Sequence, residues 1–320
     1  MEIKTQRDVL IRQPDEFDLE FHRQMLHRLV QNGGPAVSEY TELTDAINQS
    51  LDAVMRGVLS ADNLRAVWGG LGDSVTSTQT MQGFVWMKPH GYAGDFEIIE
   101  RIYQHWISPD PRLVNWDEYF HALACTRAVR NRKAYFKTWL LEREARDHSH
   151  EIRVLKLGCG ACRAVFEYFS QHQNSRAIFE CVDHEPKAIV CAKNVCQGFL
   201  DRVEFHQANA LRYHPVLPPQ LIWSAGLFDY LNDRIAISFL RRLWRWLPPG
   251  GELVIGNFFT ANSDRAYMEL LGGWKLQHRS ENDLKALARQ AGIPDNAIHV
   301  GCESEKVNLF LHAKKATNSA

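Results

Sequence analysis

Gly158 and Gly160 follow directly on Val154-Leu155-Lys156-Leu157, and Asp183 closes the next apolar run, Ala177 to Val182. Glycine permits a sharp turn, and its missing side chain lets a ligand approach the backbone. Amides at the start of a following helix can then face a polar ligand. A carboxylate where Asp183 stands can accept both hydroxyls of a ribose. A lone Gly-x-Gly is weak evidence, and a tight turn beside a surface Asp is the bland account. The order strand, glycine turn, helix, strand, acid is far more specific. A dinucleotide site would want a further glycine at Arg163, and no basic cluster follows to hold a pyrophosphate. An adenosine carrying an amino-acid tail fits better, which leaves a dehydrogenase as a weak option.

These residues need an alternating α/β scaffold. After about residue 150, strands are expected at 154–157, 177–182, 203–205, 221–224 and 252–257. Helices are expected to follow the glycine turn through Tyr168, over 186–197 and over 235–247, with Pro248-Pro249-Gly250-Gly251 as a stop. Ser280-Glu281-Asn282-Asp283 resembles a capping box for a last helix, and 298–302 with 307–312 read as a closing hairpin. Alternation of this kind predicts a doubly wound, mostly parallel sheet. Before it, the periodicity is helical. Leu43, Ile47, Leu51, Val54, Met55 and Val58 form one stripe. Asp95 caps a second helix with Phe96, Ile99, Ile102, Tyr103 and Trp106 inside. A third runs from Trp116 through Phe120, Leu123 and Phe136 to Trp139. Asp73 to Gln82 reads as a polar connection. We therefore divide the chain into a helical part, 1–147, and an α/β part, 148–320.

Composition narrows the class. The 320 residues are 45% hydrophobic and 23% charged, with 37 Lys and Arg against 38 Asp and Glu. A net charge of -1 argues against a protein built to wrap nucleic acid. No run approaches the ~20 apolar residues of a membrane span, and the first ten residues contain no apolar leader core. A cytoplasmic protein without a stable membrane anchor is the expectation. Seven cysteines, an odd number, argue against a disulfide framework. Cys159-Gly160-Ala161-Cys162 has CxxC spacing, but no second CxxC accompanies it and both cysteines fall inside the glycine turn. The 14 His are scattered, and His148-x-His150 reads as a polar connector, so no metal site is expected.

Taken together, Val154 to Gly160, Asp183, Asn209-Ala210, Ser224-Ala225-Gly226 and Leu243 to Gly251 resemble the motifs of class I S-adenosylmethionine-dependent methyltransferases. The resemblance covers about 150–315. It implies a Rossmann-like seven-stranded sheet, mostly parallel with a C-terminal antiparallel hairpin, behind an α-helical N-terminal domain. It implies S-adenosylmethionine as cofactor, held by Leu157, Gly158, Cys159, Gly160, Asp183, His184, Asn209, Ala210, Ser224, Ala225 and Gly226. Cys162 stands where the family often has a third glycine. The strings Lys88-Pro89-His90-Gly91-Tyr92-Ala93-Gly94-Asp95-Phe96-Glu97, Ala128 to Arg132 and Ala225 to Leu231 further resemble a bacterial subgroup that includes enzymes making 3-hydroxy fatty acid methyl ester quorum signals.

Methyl transfer from a sulfonium is an in-line displacement in which the protein positions and desolvates. A carboxylate acceptor needs no base but needs a cation or hydroxyl to orient it; an alcohol or phenol would want a base such as His. Candidates on the acceptor side are His90, Tyr92 and Tyr230 for positioning, and Arg127, Arg130, Asp229, Asn257 and Arg279 for binding. For His90 and Tyr92, packing within the turn is an equal alternative. For Arg127, Arg130 and Arg132, on one helix, solvated surface is the bland reading. The expected acceptor is a small or lipid-like acid, giving a methyl ester. An O- or N-methyltransferase of secondary metabolites and a non-catalytic cofactor-binding regulator are the rivals. A homodimer is compatible with the sequence.

Overall fold

The computed structural model describes residues 17–147 and 150–317. The leader reading of the first ten residues, His148 and the last three residues lie outside these. The N-terminal part contains α1 (Leu19–Gln31), α2 (Tyr40–Met55), α3 (Ala61–Trp68), α4 (Asp73–Thr76), α5 (Met81–Met87), α6 (Phe96–Gln104), α7 (Val114–Ala122) and α8 (Ala124–Arg146). The α/β part runs β1 (Ile152–Leu157), α9 (Arg163–Gln171), β2 (Ala177–Asp183), α10 (Pro186–Val195), β3 (Val203–Gln207), β4 (Leu221–Ala225), α11 (Asp233–Trp246), β5 (Glu252–Phe258), α12 (Arg265–Leu270), α13 (Glu281–Gln290), β6 (Ile298–Cys302) and β7 (Asn308–Lys314).

The seven strands order as β3-β2-β1-β4-β5-β7-β6. The first five are mutually parallel; β7 pairs antiparallel to both β5 and β6. Order reverses between β1 and β4, so a crevice opens over their carboxyl ends, where such sheets bind ligands. One face of the sheet packs Phe136, Trp139 and Leu140 of α8 against Val154, Phe179 and Trp223. The other packs Leu155, Leu157, Ile222 and Ile255 against α11 and α13. The central strands are buried on both faces, which explains their unbroken apolar runs.

The helical part departs from the sequence expectation in three places. The third helix is two. Leu123 is extended (φ -62, ψ 139), and the Asp264 carboxylate accepts from the Cys125 amide at 2.8 Å, capping α8 from a distant segment. The α2 stripe stops short: Met55 is 78% and Val58 52% exposed, because the helix ends and Gly57 turns at φ 72. The segment 73–82 holds α4 and the start of α5, with the buried Thr80 hydroxyl accepting from Gly83 N at 2.7 Å. The helical core also takes in Phe258, the last residue of β5, and Tyr267, Met268, Leu271 and Trp274, which follow that strand.

Candidate functional site

The β1–α9 turn contains three left-handed residues: Gly158 (φ 64), Gly160 (φ 55) and Cys162 (φ 56). Asp183, at the end of β2, is 8% exposed and accepts from Gly160 N at 2.9 Å and Glu185 N at 3.1 Å. The acid therefore fixes the turn while keeping acceptor capacity, since an ionised carboxylate has about four lone-pair sites. Beside this turn lies a cavity of about 300 Å³. Its floor is Lys156, the turn itself, Asp183 and Ala225 to Leu227. Its roof comes from the helical part: Tyr92, Gly94, Phe96, Ile99, Glu100 and Tyr103, with Arg132 of α8 closing one side.

Three cations line this space; Arg163 is paired with Glu100, and the other two have no carboxylate partner among the described residues. Arg132 is 8% exposed, and Tyr103 is its one hydrogen-bond partner among the described residues, at 3.3 Å from Nε. A Cβ on Gly226 would fall 3.3 Å from Arg132 Nη1, so the glycine is what admits the guanidinium. Lys156, also 8% exposed, forms no ion pair among the described residues; its ammonium lies 5.7 Å from the Phe136 ring centre. Glu100 accepts from Arg163 Nε at 2.8 Å, while its Oε2 is buried and has no partner among the described residues.

The phenols at the rim are donors or acceptors, not bases. Burial, then the charges of Asp183, Asp95 and Glu185, push Tyr92 far above its ordinary value; burial and Asp229 do the same for Tyr230. Although 46% of Tyr230 is exposed, its hydroxyl makes two hydrogen bonds. It donates to Ala93 O at 2.9 Å and accepts from Trp274 Nε1 at 2.8 Å. A Cβ on Gly94 would sit 2.4 Å from both the Trp274 ring and that hydroxyl.

Of the residues singled out from sequence, Gly158, Cys159, Gly160, Asp183, His184, Ala225, Gly226, Tyr92 and Tyr230 line the cavity. Leu157 lies behind it, its carbonyl accepting from Ser224 Oγ at 3.2 Å. Asn209 is exposed and bonds Leu211 N at 2.8 Å; neither it nor Ala210 is in the lining. His90 packs on Phe96 and bonds Glu97 at 2.9 Å, outside the cavity. Arg127 binds Glu305, and Arg130 the His121 ring and carbonyl. Arg279 spends its donors on Asn257 (2.7 Å), Asp233 and the carbonyls of Phe228 and Leu231. Asp229, raised to about 6 by burial, accepts from Phe258 N at 2.7 Å. These last three residues tie β5 to the segments around it.

Sequence reasoning passed over Lys156 and Glu100 as site residues and set Arg132 aside as surface. The signal was present: Arg132 shares the buried stripe of α8 with Cys125, Ala128, Val129 and Phe136, and Lys156 interrupts a doubly buried strand. The cavity suits an adenosine with an amino-acid tail. Asp183 offers acceptors for vicinal hydroxyls, Arg132 and Lys156 suit a carboxylate, and Glu100 Oε2 is an open acceptor among the described residues. Among the described residues no cluster of His, Cys, Asp and Glu suits a metal ion, and no helix is long and apolar enough to cross a membrane.

Residues 154–251 match the family model described as a methyltransferase domain. Among solved structures, the chain resembles a possible exported protein from Bordetella parapertussis: TM-score 0.57, 16% identity, covering 82% of this chain and 99% of that one. It also resembles an O-methyltransferase family protein from Burkholderia thailandensis, with TM-score 0.50, 15% identity and coverage of 77% and 72%. A magnesium protoporphyrin IX methyltransferase from Synechocystis with bound S-adenosylhomocysteine matches at TM-score 0.47 and 12% identity, over 60% and 87% of the two chains. No curated protein matches in sequence.

Proposed function

Starting from S-adenosylmethionine-dependent methyl transfer as the chemistry of the domain at 154–251, we propose that the acceptor is a carboxylic acid with an apolar chain and the product its methyl ester. A 3-hydroxy fatty acid is the specific candidate. The observation that carries this reading is Arg132, a buried guanidinium facing the cavity without a carboxylate partner among the described residues. The cofactor brings one carboxylate; of the three cations lining the cavity, Arg163 is paired with Glu100, which leaves Lys156 and Arg132. Lys156, under the glycine turn, is assigned to the cofactor tail. Arg132, against Gly226 and beneath the helical roof, is assigned to the acceptor.

When bound, S-adenosylmethionine supplies an electrophilic methyl group. The protein's part is placement and exclusion of water. Asp183 and the turn amides hold the nucleoside; Gly226 admits Arg132, whose fork suits a carboxylate bidentately. Among the described residues the only histidine lining the cavity is His184, 67% exposed at its side chain and 3.5 Å from Asp183. The phenols of Tyr92 and Tyr230 stay protonated. An acceptor ionised at neutral pH, needing no base, fits such a lining better than an alcohol does. Phe96, Ile99, Tyr103 and Leu227 give the apolar walls. Behind Trp274 a further void of about 20 Å³, lined by Val85, Ile102, Phe120, Val129, Phe258 and Met268, is where a chain would extend if Trp274 swung aside. All described cysteines are free thiols, in keeping with a cytoplasmic enzyme.

The test is transfer of labelled methyl groups to fatty and 3-hydroxy fatty acids, with esters identified by mass spectrometry. Arg132→Gln is expected to raise the acid's KM by roughly ten- to a hundredfold, the weight of a charged hydrogen-bond pair, and to leave S-adenosylhomocysteine affinity within about threefold. Lys156→Gln is expected to show the reverse. Products that are only ethers or methylamines would sink the carboxylate reading.

A further inference from the structure

We propose that Cys159 and Cys162 are an oxidisable thiol pair in the cofactor turn, converted by a hydroperoxide into a disulfide that closes the site to S-adenosylmethionine. The effect on binding rests on the assignment of this turn to the cofactor.

Four observations converge. Cys162 N donates to Cys159 O at 3.3 Å, so the two residues close a β-turn. Turn ends lie within about 7 Å at Cα, which overlaps the roughly 4.4–6.8 Å span of disulfide-bonded cysteines. Cys159, Cys162 and Cys181 lie close enough for each thiol to shift the ionisation of the others. Cys159 and Cys162 line the cavity, 5% and 2% exposed, so a small oxidant reaches them through the ligand's own space; Cys181, at 0%, is outside the lining. Finally, Cys162 occupies a left-handed backbone (φ 56, ψ 22) as N-cap of α9. That conformation costs an L-residue roughly 1–2 kcal/mol and costs glycine almost nothing. A strained cysteine where glycine would be at ease is the kind of outlier that points to a use for the side chain.

The chemistry assigns Cys162 as the attacking sulfur. Burial opposes its ionisation, but hydrogen bonds from Cys159 and Cys181 and the Lys156 charge hold its thiol well below the ordinary value. Its thiolate attacks the O–O bond of the hydroperoxide. An S–O bond forms, the O–O bond breaks, and the alkoxide leaves and takes up a proton as the alcohol. Cys162 is then a sulfenic acid. The Cys159 sulfur attacks it, an S–S bond forms, the S–O bond breaks, and hydroxide leaves as water with the proton from Cys159. Two thiols lose two electrons and the peroxide gains them. A dithiol reductant reverses the change by exchange.

The experiment treats the full chain with hydrogen peroxide, maps cysteines by mass spectrometry and titrates S-adenosylhomocysteine by calorimetry. A Cys159–Cys162 cross-link should form, affinity should fall at least about tenfold, and dithiothreitol should restore it. S-adenosylhomocysteine present during oxidation should slow the cross-link. Cys162→Gly suits the backbone of the turn, and its titration should not respond to peroxide. Cysteines that remain alkylatable, oxidation of Cys162 without a cross-link, or a peroxide response retained in Cys162→Gly would each overturn the proposal. If reduced protein fails to bind S-adenosylhomocysteine, the cofactor assignment falls, and the mapped cross-link still decides the thiol pair.

Discussion

The cavity has two walls of different construction. The sheet wall is made of backbone: a glycine turn, an acid that fixes it through Gly160 N, and the small residues Ala225 and Gly226. The helical wall is made of side chains: Tyr92, Phe96, Ile99, Glu100, Tyr103 and Arg132. Backbone walls are set by strand register and change little with side-chain identity. Side-chain walls can be rewritten without moving the sheet. A fixed nucleoside belongs on the first wall, and the variable partner on the second. The supports differ in range as well. The turn is held by the adjacent strand β2, through Val182 O and Asp183. The helical wall is pinned by distant ties: Asp264 to Cys125 N, Gln82 Nε2 to Leu271 O at 3.1 Å, and Gln82 Oε1 accepting from the Tyr267 hydroxyl.

Breaking the sheet wall should give the largest effect. Asp183→Ala removes the acceptors proposed for the ribose and the anchor of Gly160 N together. Affinity for S-adenosylhomocysteine should fall by roughly a hundredfold or more, given about 1.5–3 kcal/mol per hydrogen bond to a charged group. Calorimetry reads this directly. An Asp183→Ala protein that binds as before would erase the distinction between the two walls.

The long ties of the helical wall come next. Asp264→Ala leaves the amide of Cys125 buried without its cap. The loss should be about 2 kcal/mol of unfolding free energy, measured by urea denaturation. Asp264→Asn keeps an acceptor and should recover most of it. Cofactor affinity should change little in either, because the sheet wall does not depend on α8 beginning at Ala124. An equal loss of affinity would show that the walls are one unit.

The same contrast explains what could be read from the chain. The glycine turn, the Asp95 cap and the Ser280–Asp283 capping box are local patterns, and each took the form expected: Gly158 and Gly160 turn at positive φ, Asp95 accepts from Glu97 N and Ile98 N, and Ser280 from Asp283 N. The break at Leu123 was not legible, because the residue that enforces it, Asp264, stands 139 positions beyond the Cys125 amide that it caps. Burial of Arg132 was visible only as a charge on an apolar stripe, where the general preference of arginine for solvent argues the other way. His90 looked presented by its flanking Pro and Gly; that turn folds it onto Phe96 and Glu97. Short-range chemistry writes itself into sequence, and packing between segments far apart does so only as an anomaly in a pattern.

The smallest effect separates the walls by pH. His121, in the helical part, is 2% exposed, with Nε2 bonded to Trp106 O at 2.8 Å and Nδ1 facing Arg130 at 3.0 Å. Burial, with the charges of His105 and Arg130, lowers it to about 4. Its folded form is thus neutral while the unfolded residue protonates near 6.5. Stability from this group is present above pH 6.5 and is lost as pH falls towards 4. Between pH 7 and 5 the loss amounts to about 1–2 kcal/mol. The two buried acids oppose it. Asp117 and Asp229, each raised to about 6 by burial, favour the folded state below pH 6 and lose that contribution as pH rises from their ordinary range through 6. The wild type alone therefore reads a near-cancellation, and the comparison must be made against a variant. His121→Gln keeps a side chain able to hydrogen-bond and removes the titration. Relative to it, the wild type should lose about 1–2 kcal/mol of denaturation free energy between pH 7 and 5. An equal response of the two proteins would mean that His121 is already charged in the fold, and that the helical wall admits water where the structure packs it dry.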